Sequence, residues 1–139
     1  MKYLLDTNVI SELIAKQPSP RVIAWVEQMD DTQAYLSVIT IGEIKKGIER
    51  LPASARKQQL QRWLEDELLI RFSGRIVAID SAVMLIWGTL TANLESSGRK
   101  LPAMDSLIAA TALSGSYCLV TRNEADFAET GVTMLNPWL

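Results

Sequence analysis

Residues 1–13 read MKYLLDTNVISEL. Three apolar residues, Tyr3, Leu4 and Leu5, stop abruptly at a carboxylate, Asp6, which Thr7 and Asn8 follow. A short apolar run bounded by polar residues fits a strand buried on both faces, here Lys2 to Leu5. A helix is expected after it, from Val9 to Ala15. One acid after one strand decides nothing alone, so the reading depends on whether the unit recurs.

It does recur. Ser19 and Pro20 are a cap and first residue for a second helix. Ala34 to Ile39 reads as a strand, and Thr40 to Arg50 as a helix that stops before Pro52. Ser54 caps a long charged helix carrying Leu60, Trp63, Leu64, Leu68 and Leu69 at helical spacing. Arg75 to Ile79 reads as a strand, and Ser81 starts a helix ending near Ser96-Ser97-Gly98. Pro102 opens a further helix over Ala103 to Leu113, ended by Gly115. Tyr117 to Thr121 is a fourth strand, a helical turn follows Asn123, and Val132 to Leu135 is a last strand ending at Pro137. Alternating strands and helices predict one α/β domain over residues 1–139: a three-layer α/β/α sandwich around a parallel sheet of four to five strands.

Composition narrows the chemistry. The chain has 139 residues, 48% of them hydrophobic, enough for a core without covalent staples. Its 14 Lys and Arg against 16 Asp and Glu leave a net charge of −2, which offers no general basic field for a polyanion. There is no histidine, so Ser-His and Cys-His catalysis and histidine-ligated metals are excluded. The single cysteine, Cys118, lies in an apolar run and reads as a buried thiol. Neither a signal peptide nor a membrane span is expected, and a cytoplasmic location is the default.

Any catalysis must therefore rest on carboxylates, hydroxyls, amides, Lys and Arg. Ligands of open parallel sheets bind beyond the carboxyl ends of the strands. Asp6 ends the first strand, and Thr121, Asn123 and Asp126 follow the fourth. Glu43 lies in the first turn expected after the second strand. Asp105 heads a helix face continued by Ile108, Ala109 and Ala112, and a carboxylate beside an apolar face needs a partner. Each acid has a structural alternative. Asp6 fits a helix cap, Glu43 the T-x-x-E capping box begun by Thr40, Asp105 a macrodipole partner, and Asp126 a surface charge. Asp80 reads as a cap for the helix begun by Ser81, and Glu12 as a surface or interface charge. Taken together, Asp6, Glu43 and Asp105, with Asp126 near, form an oxygen-only set suited to Mg²⁺ or Mn²⁺.

The stretches LLDTNVISEL, LSVITIGEIKKGIERLP, GRIVAID, LPAMDSLIAATAL and LVTRNEADFAETGVTMLNPW follow the order found in PIN-domain ribonucleases. The resemblance covers nearly the whole chain and is nearest to the VapC toxins, in particular their FitB-like branch. It implies a PIN fold and a Mg²⁺- or Mn²⁺-dependent endoribonuclease serving as toxin of a type II toxin–antitoxin pair. It implies Asp6, Glu43 and Asp105 as core catalytic and metal-binding acids, Glu43 directly or through water, and Asp126 as a fourth, more variable one. Thr7 and Asn8 are expected to orient Asp6, and Thr121 and Asn123 match supporting polar positions. Met104, where a small residue is commoner, departs from the pattern.

The resemblance further implies a homodimer and a small VapB- or FitA-like antitoxin that sets an Arg among the acids and binds operator DNA. Side chains around the first two helices, among them Ile10, Leu13, Ile14, Val22, Ile23, Trp25 and Val26, exceed one helix's needs; some are expected in the core, and the rest are candidates for the dimer face or an antitoxin groove. Arg122 is the cation nearest the acids and a candidate RNA contact. A receiver-like Mg²⁺ domain is the competing reading, but Asp6 stands single where a receiver has paired acids. A dehalogenase-like phosphatase would need an acid where Asn8 stands.

Overall fold

The computed structural model describes residues 1–139. Strand β1 (Tyr3–Leu5) leads into α1 (Thr7–Leu13), and α2 (Pro20–Gln28) and a 3₁₀ turn precede β2 (Ala34–Ser37). Then come α3 (Val38–Glu49), α4 (Ala55–Trp63), a π-helical stretch (Leu64–Leu68) and α5 (Leu69–Arg71). The remainder is β3 (Ile76–Val77), α6 (Ser81–Ser96), α7 (Ala103–Gly115), β4 (Cys118–Val120), α8 (Glu124–Phe127) and β5 (Met134–Leu135).

All neighbouring strands run parallel, in the order β3-β2-β1-β4-β5. The chain winds outward from β1 to β3, crosses back to β4 and winds outward again. That reversal lies between β1 and β4, the crevice where ligands of open parallel sheets bind.

Strand residues alternate between two apolar layers, as the period of two requires. Leu5, Leu36 and Val120 face α1, α2, α3 and α4, whereas Leu4 and Leu119 face α7 and Phe127 of α8. Leu60, Leu64, Leu68 and Phe72 are all buried, at a constant spacing of four. An α-helix would rotate such a stripe away from the core. The wider π-helical turn at Leu64–Leu68 keeps it facing inward. Small residues Ala109 and Ala112 let α7 approach the sheet, and Trp87 Nε1 donates to Ser106 Oγ (2.9 Å), pinning the first turn of α7 to α6.

Several expected boundaries move. The second strand stops at Ser37 rather than Ile39, because Ser37 Oγ accepts from the Ile39 N–H (3.0 Å) and caps α3. No capping box begins at Thr40. Helix α1 starts at Thr7, two residues before Val9, because Asp6 caps it. The third strand is only Ile76–Val77. Gly115 does not supply the left-handed residue that ends α7; Ser116 does, at φ 54°. Glycine is required at 115 for another reason, since a Cβ there would come within 2.1 Å of the Tyr117 ring.

Of the side chains expected at a partner face, Ile10, Val22 and Val26 are buried, and Leu13, Ile14 and Trp25 pack against the same cluster. They belong to the core, the commoner of the two outcomes expected, and leave little apolar surface around α1 and α2 for a partner. No helix is long and apolar enough to cross a membrane.

A candidate active site of converging carboxylates

Asp6 leaves the carboxyl end of β1 at 4% exposure. Its Oδ1 accepts from the Thr7 N–H (2.8 Å). Oδ2 accepts from the Thr121 hydroxyl (2.8 Å) and Asn8 Nδ2 (3.3 Å). Thr121, fully buried at the end of β4, is held in turn, its Oγ1 accepting from the Asn123 N–H (3.1 Å). Asn8 Oδ1 accepts from the Arg122 N–H (3.3 Å). This network ties the ends of the two central strands together across the crevice. One carboxylate both caps α1 and holds the ends of β1 and β4 together.

The Thr7 hydroxyl donates to Glu43 Oε1 (2.6 Å) and lies 3.1 Å from the Thr40 hydroxyl. With the cap of α3 at Ser37, Glu43 sits beyond the first turn and is not used for capping. Asp6, Glu43 and Asp105 line one open cleft of about 540 Å³ with Arg122, Asn123 and Trp138. Asp126, exposed on α8, lies at the margin rather than in the lining, yet its charge reaches Asp105. Asn123 contributes its backbone N–H to the network, and its side chain faces no partner within the chain. Asp80 stands apart and caps α6, its Oδ1 accepting from the Val83 N–H (2.9 Å).

Burial, reinforced by the negative charges of Asp6, Glu43 and Asp126, pushes the Asp105 carboxyl up to about 6. Burial raises Asp6 as well, opposed by the Thr121 and Thr7 hydrogen bonds. No three of the acids are drawn into a ready-made coordination shell. Like charges spread in a part-buried cleft, and a hard cation is the species that would gather them. An oxygen-only donor set with one member strained toward protonation fits such a cation.

Glu12, expected as a surface or interface charge, lines this open cleft and accepts from the Ser19 N–H (3.1 Å), which orders the turn into α2. Sequence reasoning also missed Thr40 and Trp138. Thr40 looked like a capping residue, and Trp138 stands next to the chain end with no local pattern to single it out. Thr121→Val keeps the shape of Thr121 but removes the donor to Asp6 and the acceptor for Asn123. It is expected to cost roughly 1–3 kcal/mol and to raise the Asp6 carboxyl further. Denaturant unfolding and carbonyl-carbon NMR titration measure the two effects.

The PIN-domain family model matches residues 3–132. The chain belongs to the PIN-domain family. Among similar PIN proteins, Toxin FitB of Neisseria gonorrhoeae is 38% identical over 97% of either chain. VapC ribonuclease Y4jK of Sinorhizobium fredii is 36% identical over 97% of this chain and 96% of that one. The solved structure of FitAB bound to an IR36 DNA fragment superposes with a TM-score of 0.94, at 36% identity, covering 99% of this chain and 96% of that one. The PIN topology also removes the receiver-like reading. Here β1 lies between β2 and β4, whereas a receiver sets its first strand between the second and third.

Proposed function

We propose that this PIN domain is a metal-dependent endoribonuclease and the toxin of a type II toxin–antitoxin pair. The observation that carries the chemistry is the convergence of Asp6, Glu43 and Asp105 on one cleft, where burial first, and then the charges of Asp6, Glu43 and Asp126, push the Asp105 carboxyl up to about 6. Nature tolerates such crowding where a cation is to be bound. The relatives named as a toxin and as a ribonuclease support the biological setting.

Asp6 and Asp105 would hold Mg²⁺ or Mn²⁺, with Glu43 joining directly or through water and Asp126 completing the field from the margin. When bound, the cation supplies a Lewis acid that activates water and neutralises charge on phosphoryl oxygens. The chain's own residues do the positioning. Thr121, Asn8 and the Thr7 N–H fix the Asp6 carboxylate, so it need not reorganise as substrate arrives. The Thr7 hydroxyl engages Glu43 Oε1 and leaves Oε2 available in the cleft. Arg122, its guanidinium 5.3 Å from the Trp138 ring, borders the cleft and can meet a substrate phosphate.

The same pocket suits a guanidinium from a partner, which would pair with the carboxylates and exclude the cation. A small VapB- or FitA-like antitoxin supplying that Arg, with operator DNA bound through the antitoxin and the toxin as a homodimer, completes the reading. Total cellular RNA incubated with the purified chain and Mg²⁺ is expected to yield discrete fragments whose ends map to defined sites. Co-expression with a neighbouring antitoxin gene is expected to restore growth. Intact RNA over a range of Mg²⁺ and Mn²⁺ concentrations would refute the nuclease, and growth arrest unrelieved by the partner would refute the pairing.

A further inference from the structure

A second groove, of about 520 Å³, runs beside α3. Glu43 lines both it and the acidic cleft, so the two adjoin at this side chain. Gly42, Lys46, Gly47 and Arg50 form its α3 wall, and Met104, next to Asp105, contributes from α7. The helix buries its other side through Thr40, Ile44 and Ile48. Lys45 is engaged in an ion pair with Glu49 (3.0 Å), whereas neither Lys46 nor Arg50 has a carboxylate partner. Lys46 and Arg50 are one helical turn apart, with about 6 Å between Cβ atoms. Most cations of the chain lack a carboxylate partner, and what sets Lys46 and Arg50 apart is their place together on one wall of a groove that adjoins the acids.

The glycines strengthen the point. Each costs a helix interior about 1 kcal/mol relative to alanine. Neither Gly42 nor Gly47 is demanded by packing, since an added Cβ would meet nothing within 4 Å. Their effect is to keep the wall bare, so that a chain of sugars and phosphates can approach the helix. Met104 is 50% exposed and Val38 39%, apolar surface on which a base can rest.

We propose that this groove is the track for the single-stranded RNA flanking the scissile phosphate, with Lys46 and Arg50 each neutralising one backbone phosphate. The acids repel a polyanion at the cut site. The cations on α3 offset that repulsion a short distance away, so the strand is held by its flank and presented at the cleft. The inference rests on the ribonuclease reading but concerns different residues and has its own readout.

Lys46→Ala, Arg50→Ala and the double variant change exposed side chains and leave the acids intact. Cleavage of a defined single-stranded RNA at fixed Mg²⁺ and a series of salt concentrations gives KM, kcat and the salt slope. Each single variant is expected to reduce the slope of log(kcat/KM) against log salt by about 0.7. The double variant is expected to raise KM about tenfold with kcat nearly held, and Lys46→Arg to retain wild-type behaviour. Arg99→Ala, on a cation paired with Glu129, is the control and is expected to change none of these. Binding of a fluorescent RNA of the same sequence, read by anisotropy, separates the two readings. Loss of binding in the double variant with no cleavage by wild type would keep the track and sink the nuclease. Wild-type cleavage with unchanged KM, slope and binding in the double variant would sink the track. If antitoxin co-purification fell while every RNA readout stayed unchanged, the groove would be a protein-docking site and the proposal would be wrong.

Discussion

Asp6→Asn, Glu43→Gln and Asp105→Asn are each expected to lower RNA cleavage by about 10²–10³-fold, the loss typical when a preorganised electrostatic group is removed. The ranking follows from the geometry. Asp6 is 4% exposed and held by three donors, so an amide there both reverses hydrogen-bond polarity at one atom and removes charge. Glu43 and Asp105 line the same cleft with less support. Asp126 lies outside the lining, and Asp126→Asn is expected to cost about tenfold or less. Asp80→Asn is expected to leave cleavage unchanged, since Asn caps a helix about as well as Asp. Single-turnover cleavage of a mapped RNA site measures all five. Near-wild-type rates for Asp105→Asn would show that the crowded carboxylate is structural.

Removal of the divalent cation is the second large effect. Chelation by EDTA is expected to abolish cleavage, and Mg²⁺ or Mn²⁺ to restore it. Stability should respond too, in a direction the carboxyl shifts determine. Asp105 is raised from 3.8 to about 6 and Asp6 is raised as well, so without a cation the folded chain binds more protons than the unfolded one across that window. Their contribution is fully present below the ordinary carboxylate range and is lost as pH rises through about 6. Asp30 and Glu49 are shifted downward, so their opposite contribution falls below that range and does not mask the effect. The Tm of chelated protein is therefore expected to fall between about pH 5 and about pH 7.5, and added Mg²⁺ to raise Tm most at the upper end. Asp105→Asn should flatten the pH dependence and weaken the Mg²⁺ response. A chelated protein whose Tm rises over that interval would contradict the crowding of these acids.

Glu43 shows where the two levels of description part. Its sequence neighbours Thr40-Ile41-Gly42 match a capping box, and local pattern alone left capping and catalysis level. The three-dimensional structure separates them because Ser37 reaches the Ile39 N–H first, which moves the helix start and turns Glu43 toward Thr7. Asp126 is the converse case. Its motif suggested a fourth site acid, and it stands near enough to raise Asp105, but it remains exposed at the margin.

Resemblance to the PIN family singled out Asp6, Glu43, Asp105 and Asp126, and the sequence by itself determined the α/β alternation, the parallel sheet and the absence of histidine chemistry. Those are properties of local period, residue type and strand-end position, which nearby residues dictate. Only the tertiary structure decided which acids share a cleft and that Thr121 and Thr7 anchor two of them. It also assigned the apolar residues of α1 and α2 to the core, and joined the α3 groove to the site through Glu43. These depend on strand order and on contacts between residues such as Asp6 and Thr121, 115 positions apart, which no local pattern encodes.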